Sequence, residues 1–241
     1  MLRMILALVL AWPLLAAPTR IAFASAEGAS PKTTGAITTT GASLLVVIVS
    51  DNGYGTPGNI VSDSNGNTWY ALATTIRGGD CITIFYAYDH GGSALSVGSG
   101  HTATVTYAGK QVAFTWAAYS GTLSTGDPYD GQLSGSSPSG DPCQPGSITP
   151  TVNGTLLVLG VSYPYSWQAT TTVSVTNSLV AVDWILESGA SFSQSYIDGV
   201  QTTAAAINPT VTNSANVPTT LTFAAFKPAT VAPSRRNALV F

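Results

Sequence analysis

Residues 39–50 read TTGASLLVVIVS, a polar turn followed by an uninterrupted apolar run. Residues 151–162 read TVNGTLLVLGVS and repeat the pattern, with Leu156 lying 112 residues after Leu44. Each run is short, rich in β-branched residues and bounded by Gly, Ser and Thr, which is typical of a strand buried on both faces. We therefore predict that these runs are the two central strands of one β-sandwich.

A second pair of segments supports a repeat. Residues 114–119 read FTWAAY and residues 221–226 read LTFAAF, so that Phe223 lies 107 residues after Trp116. The two offsets nearly agree, which predicts two halves that each begin and end with equivalent strands. The fold class is therefore all-β, a two-sheet antiparallel sandwich that is jelly-roll-like and pseudo-duplicated. The alternative is that any two buried strands resemble each other.

The composition is poor in charge. Only 8% of the residues are charged, against about 25% in average soluble proteins. The 8 Lys and Arg residues are scattered and the net charge is −3, which argues against a nucleic-acid partner. Apolar residues make up 45% of the chain, enough to build a core, so we expect an extracellular β-protein with a hydroxyl-rich surface.

The N-terminus has the pattern of a signal peptide. One basic residue, Arg3, precedes an apolar run of about a dozen residues, too short to span a bilayer. We predict a signal peptide over residues 1–26, a β-sandwich domain over 27–228 and a flexible tail over 229–241. The protein is then secreted or displayed at the cell surface, with no membrane span in the mature chain.

The cleavage site has two alternatives. Small-x-small sites end at Ala24 and Ala26, whereas a site at Ala17 is poorer because Leu15 is large and Pro18 follows. If cleavage nevertheless falls near Ala17, residues 20–26 would form the first strand of the mature fold.

Cys81 and Cys143 are the only cysteines. An even pair in a secreted chain predicts a disulfide. In the chain-entropy model, a bond that closes the loop between residues 81 and 143 would contribute about 4 kcal/mol to the free energy of unfolding. Two thiols, or two metal ligands, are the alternatives.

No cofactor is expected apart from a structural calcium ion. Asp and Asn side chains on loops supply the oxygen ligands that calcium prefers, although they also favour turns by bonding to their own backbone. The candidates are Asp51, Asp63, Asn65 and Asn67, with Asp127 and Asp130 on a second loop. The two histidines, His90 and His101, are interpreted as surface turn residues rather than zinc ligands.

One acidic strand is a weak catalytic candidate. Asp183 and Glu187 share one face of a predicted strand, and a glycosidase needs two such carboxyl groups. The segment weakly resembles the acidic strand of lectin-like-fold glucanases, but Ala181 and Leu186 stand where that motif has glutamates. The alternative is a polar outward face of an edge strand, and the sequence contains no nucleophile elbow.

Carbohydrate binding is the best functional lead. Sugar rings stack on aromatic side chains, and hydroxyl-bearing loops bind their hydroxyl groups. The loop after the second central strand carries Tyr163, Tyr165 and Trp167, and the equivalent first loop carries Tyr54. We predict a ligand-binding end of the sandwich at these four residues, or else aromatic side chains that fold over the end as satellite core.

A resemblance adds to this interpretation. Residues 63–69 (DSNGNTW), 118–121 (AYSG) and 225–227 (AFK) look like those of a loose group of secreted bacterial and phage-associated β-sandwich proteins. The resemblance covers roughly residues 21–227 and implies a jelly-roll-like, lectin- or adhesin-type sandwich. It implies no catalytic residues.

Three functions follow as hypotheses. The favoured one is non-catalytic adhesion or binding to a glycan or cell-surface polymer. The second is a self-assembling structural protein of an extracellular or virion assembly, which would form homo-oligomers. The third is a glycoside hydrolase of lectin-like fold.

Overall fold

The computed structural model shows an all-β protein built from several antiparallel sheets, as predicted. The structure describes residues 17–52, 60–77, 79–137, 142–164, 173–177, 179–187, 192–213 and 219–229. Most of the predicted signal peptide and nearly all of the predicted tail lie outside these residues.

Within the described residues, the first half of the chain contributes nine strands. They are β1 (Thr19–Ala29), β2 (Lys32–Thr33), β3 (Leu44–Asp51), β4 (Ile60–Asp63), β5 (Tyr70–Ala71), β6 (Thr75–Arg77), β7 (Asp80–Tyr88), β8 (Ala103–Thr106) and β9 (Gln111–Ser120).

The described part of the second half contributes seven more. They are β10 (Tyr129–Ser137), β11 (Thr155–Pro164), β12 (Val173–Val175), β13 (Val180–Glu187), β14 (Phe192–Gln201), β15 (Val211–Asn213) and β16 (Thr219–Phe226).

Two main sheets form the sandwich. The first has the order β1-β9-β3-β7-β5, with β6 also paired to β7, and the second has the order β10-β16-β11-β14-β13. The predicted central strands, β3 and β11, each occupy the middle of one main sheet. Both strands are buried on both faces because each main sheet has a small sheet on its outer side. The small sheet β2-β8-β4 covers the first main sheet, and the small sheet β12-β15 covers the second.

Alternation along the central strands builds three cores. Leu44, Val46 and Ile48 of β3 meet Leu156 and Val158 of β11 in the core between the main sheets. The intervening residues of each strand point the other way and pack into two outer cores beneath the small sheets. The prediction of a single two-sheet sandwich therefore gives the centre of the fold, and the small sheets add a layer on either side.

The two halves repeat each other in strand register. Leu44 pairs with Tyr119 and Leu156 pairs with Phe226, so the sequence offsets of 112 and 107 residues relate one pair to the other. All seven pairs between β11 and β16 have counterparts between β3 and β9 at these offsets. The other neighbours of the central strands, β7 and β14, correspond at the offset of 112.

The repeat extends to the first strand and its irregularity. The pairing of β1 with β9 shifts between Arg20 and Ala22, and the pairing of β10 with β16 shifts between Tyr129 and Gly131 at the equivalent place. β1 is therefore the counterpart of β10 and completes the first main sheet. It includes residues that the favoured cleavage sites would remove, although the position of cleavage stays a prediction.

The predicted disulfide is not formed. Cys81 lies in β7 of the first main sheet and points to the same side as Phe85, away from the central core. Cys143 packs in the outer core of the second half, where its sulfur accepts a hydrogen bond from the Thr219 hydroxyl at 2.9 Å. No bond joins the two cysteines, because the main sheets stand between them.

Candidate functional site

The aromatic loop predicted to bind a ligand lies largely outside the described residues, which include neither Tyr54 nor Tyr165 nor Trp167. Tyr163 is described, and its position corrects the prediction for that residue. Its side chain is 0% exposed in the outer core of the second half. It therefore belongs to the core, the alternative considered for this loop.

The weak catalytic pair lies on β13. The Asp183 carboxylate accepts hydrogen bonds from the hydroxyl groups of Ser25 and Thr115, which belong to the other main sheet. Asp183 thus connects the two sheets, and the expectation of a polar outward face is wrong for this residue. Glu187 ends the strand, and its side chain lies outside the described residues.

The calcium candidates around Asp63 bond to one another. The Asp63 carboxylate accepts hydrogen bonds from His101 Nε2 at 3.0 Å, Trp69 Nε1 at 2.6 Å and the backbone amide of Asn65 at 2.8 Å. The Asn67 amide also donates to it, at 3.2 Å. These are the contacts of a turn organised by an aspartate. Burial raises the pKa of Asp63, but the hydrogen bonds outweigh burial and hold the pKa below its usual value.

His101 is a core residue rather than the surface turn histidine that the sequence suggests. Its ring is fully buried, with Nδ1 2.8 Å from the Thr39 hydroxyl and Nε2 bonded to Asp63. The ring edge also packs on Trp116, with 4.9 Å between centroids. The Thr39–His101–Asp63 chain resembles a catalytic triad in order only, because the side chains of His101 and Asp63 have no exposed surface.

Asp51 and Asp80 form a second acidic pair at the ends of β3 and β7. Both are buried, Asp80 being only 6% exposed. Burial and the nearby charge of Asp51 raise the pKa of Asp80 to about 7, against the opposing effect of Arg77. Among the described residues, no group of three or more His, Cys, Asp or Glu side chains is arranged to hold a metal ion.

Four tyrosines gather at the core between the two main sheets. Tyr86 and Tyr88 share one face of β7 because they are two residues apart, and their rings stack at 5.6 Å. Tyr70 of β5 lies 5.6 Å from Tyr86, and Tyr129 of β10 lies 6.2 Å from it on the other side. We call Tyr70, Tyr86, Tyr88 and Tyr129 the tyrosine cluster.

The hydroxyl groups of Tyr86 and Tyr88 have polar partners. Tyr86 donates to the Asp127 carboxylate, whose two oxygens both lie at 3.2 Å, and burial together with this charge raises the pKa of Tyr86. The Tyr88 hydroxyl lies 2.8 Å from His90 Nδ1. His90 is exposed, as predicted, and its ring also packs against Tyr70 at 5.3 Å.

A groove of about 180 Å³ opens beside the cluster. Tyr88 and His90 line it, and we call the cavity the tyrosine groove. The other lining residues are Gly66, Asn67, Thr68, Ser93, Ala94 and Ser96.

Hydrogen bonds hold the two loops of the groove together. The Asn67 side chain accepts from the Ser96 amide at 2.7 Å and donates to the Ser96 carbonyl at 2.9 Å. Asn67 is itself fixed by Asp63, so the buried Asp63–His101 contact supports the shape of the groove. Tyrosines at the alternate positions 86 and 88 of the sequence are the signal that points to this site.

Comparisons with family models, with characterised proteins and with solved structures gave no match. Within the part of the chain that the structure describes, no helix is long and apolar enough to cross a membrane.

Proposed function

We propose that this protein is a secreted, non-catalytic glycan-binding or adhesion protein, and that the tyrosine groove takes a sugar ring. One observation carries the proposal: two rings, those of Tyr88 and His90, line the same groove as amide and hydroxyl groups. This is the combination that binds the apolar face and the hydroxyl groups of a sugar.

The ring surface in the groove belongs mainly to His90. Tyr88 also lines the groove but is only 7% exposed, because Tyr70 and His90 pack against it. A ligand in the groove would therefore contact the exposed His90 ring, with the Tyr88 ring beneath it. Tyr70 does not line the groove and packs against both of these rings.

The groove favours a neutral sugar and binding over hydrolysis. Its lining residues include no Lys, Arg, Asp or Glu, so they offer no charge to an acidic glycan at neutral pH. They also supply no pair of carboxyl groups, which most glycoside hydrolases need. The leader-like N-terminal run supports secretion, and the resemblance to lectin- and adhesin-type sandwiches is consistent with the same function.

A glycan array and a pulldown with insoluble polysaccharides test the proposal. We expect His90→Ala and Tyr70→Ala to weaken binding strongly, since the first removes the exposed ring of the groove and the second removes the ring that packs against His90 and Tyr88. Val180→Ala is the matched control, because Val180 is exposed and pairs with Asp198 as Tyr70 pairs with Tyr86. Circular dichroism confirms the fold of each variant.

The same assay distinguishes binding at the tyrosine groove from binding at the aromatic loop that carries Trp167. If Trp167→Ala abolishes binding while His90→Ala and Tyr70→Ala leave it unchanged, the ligand binds at the loop. Absence of binding to every glycan and polymer would overturn the proposal.

A second function, self-assembly into an extracellular structure, is favoured by the first strand. β1 forms an edge of its main sheet over 11 residues, and its apolar side chains Ile21 and Phe23 are exposed, Phe23 at 42%. Long edges with exposed apolar residues can pair with another chain. Light scattering would show a concentration-dependent oligomer that Phe23→Lys dissociates; a monomer at all concentrations would exclude this function.

A further inference from the structure

A second cavity, of about 320 Å³, opens at the place that the internal repeat relates to the tyrosine cluster. Arg20 of β1, Asp198 and Val200 of β14, Leu156 of β11 and Tyr119 of β9 line it. We call it the Arg20 cavity. It borders the core between the main sheets and combines a charged pair with apolar walls.

The internal repeat explains why a cavity exists here. The strand registers that relate the two halves place its lining residues at the positions of the tyrosine cluster. The corresponding pairs are Val200 with Tyr88, Asp198 with Tyr86, and Arg20 with Tyr129. At the tyrosine cluster, tyrosine rings fill this place. At the Arg20 cavity, smaller or differently shaped side chains leave it open.

The charged pair on the cavity wall is held in a fixed geometry. Arg20 Nη1 lies 2.6 Å from Asp198 Oδ2, and the Tyr119 hydroxyl donates to the same oxygen at 2.6 Å. The Tyr196 hydroxyl lies 2.8 Å from that of Tyr119 and extends the network into the core. Asp198 is only 7% exposed. A carboxylate this buried is costly unless it is paired, and these contacts fix both partners in place.

The pair offers a donor and an acceptor side by side. Asp198 Oδ2 receives both Arg20 and Tyr119, and Oδ1 takes part in neither bond. The Arg20 guanidinium has further N–H groups besides the one bonded to Asp198. Two adjacent hydroxyl groups of a sugar match this arrangement, since one can donate to a carboxylate while the other accepts from a guanidinium.

We propose that the Arg20 cavity is a second ligand site that takes the ring of a neutral sugar, with two adjacent hydroxyl groups on Asp198 and Arg20. Leu156 and Val200 supply apolar surface for the rest of the ring. The choice of ligand class rests on the proposed function of the tyrosine groove. The chain then carries two sites and binds a polymer more tightly than either site alone.

The test uses saturation-transfer NMR and titration with four probes, the methyl glycosides of glucose, galactose, mannose and N-acetylglucosamine. The His90→Ala variant removes the tyrosine groove and leaves the Arg20 cavity as the remaining site. In this background we expect Val200→Tyr to weaken binding about tenfold or more, because it places in the cavity the ring that the other half has there. Ile60→Tyr, at an exposed position of β4, is the control and should change nothing.

A second variant protects the test against a folding defect. Arg20→Gln keeps an N–H donor on a half-buried side chain but removes the charge, and we expect weaker binding with a retained fold in the proton NMR spectrum. Unchanged binding in folded Val200→Tyr and Arg20→Gln chains overturns the proposal.

The outcomes also separate this proposal from that of the groove. If the wild type binds and His90→Ala leaves no residual binding, the cavity proposal fails and the groove stands. If Val200→Tyr alone abolishes binding and His90→Ala has no effect, the groove proposal fails and the cavity stands. No binding of any probe to any chain overturns both.

Discussion

Ile48 and Gly160 occupy equivalent positions in the two halves and face each other across the central core. A Cβ atom on Gly160 would lie 2.7 Å from Ile48 Cγ2 and 2.9 Å from Ile82 Cδ1. Both distances are shorter than real carbon contacts allow. The isoleucine of one half thus fills the space that the glycine of the other leaves, and this exchange brings the two main sheets together.

Gly160→Ala should therefore destabilise the protein by about 1–3 kcal/mol, since overpacking a core forces side chains and backbone to shift. Urea unfolding followed by tryptophan fluorescence measures the free energy. Gly35→Ala is the matched control because no atom lies within 4 Å of the Cβ it would add.

The contact also predicts a coupling. Ile48→Ala removes the side chain nearest to the new Cβ, so Gly160→Ala should cost less in that background than in the wild type. Equal costs in the two backgrounds would contradict the packing described for Ile48 and Gly160.

The first strand makes a prediction about the mature N-terminus. A chain beginning at Glu27 lacks most of β1 and the Arg20–Asp198 ion pair, and it exposes the edge of β9. We expect it to fail to fold, whereas a chain beginning at Ala17 folds. Circular dichroism and limited proteolysis of the two chains measure this directly. A stable, protease-resistant chain from Glu27 would show that β1 is dispensable.

The central strands and the repeat could be predicted because their signal is local. A run such as residues 44–49 identifies a buried strand by itself, and a constant offset needs no knowledge of contacts. Residues 19–26 of β1 fall within the predicted signal peptide because their small residues offer cleavage sites after a typical signal-peptide run. Its role depends on pairing with β9 about 90 residues away, which no local pattern contains.

The site was harder to predict because it depends on distant contacts. Asp63 and His101 are 38 residues apart, and their hydrogen bond turns two apparent surface residues into a buried network. Tyr163 continues a central strand into the core, although its Pro-containing segment looks like a loop. Whether a side chain at a strand end is buried depends on what covers that end. For Tyr163 the cover is the small sheet of the second half.

Asp80 predicts how stability depends on pH. Its pKa is about 7 in the folded chain and near 3.8 when unfolded, so the folded chain holds a proton between these values that the unfolded chain has lost. Stability should therefore fall as the pH rises from about 4 to about 7 and stay level above. Asp80→Asn should gain up to about 4 kcal/mol over the wild type at pH 8 and almost nothing at pH 4.

Urea unfolding at the two pH values tests this, with Asp89→Asn, just past the opposite end of β7, as the control. Calcium provides a further test of the sequence-based candidate Asp51. If the ion binds between Asp51 and Asp80, adding calcium at pH 8 should raise the melting temperature of the wild type but not of Asp80→Asn. A wild-type stability that does not change between pH 4 and pH 8 would contradict the raised pKa of Asp80.

Asp63 connects stability to the groove. Replacing it by Asn removes the charge that accepts hydrogen bonds from His101 and Trp69, and we expect a loss of about 2–4 kcal/mol because buried donors lose a charged acceptor. Since the pKa of Asp63 is lowered by folding, its contribution is present above about pH 4 and is lost as the pH falls through the folded pKa. The difference in the free energy of unfolding between the wild type and Asp63→Asn should therefore shrink in acid.

Sugar binding by Asp63→Asn should weaken as well, because Asn67 loses a contact that fixes it in the groove. Unfolding curves at pH 3 and pH 7, together with a glycan titration of the folded variant, measure both effects. Unchanged stability and binding at pH 7 would show that the Asp63–His101 contact does not support the groove.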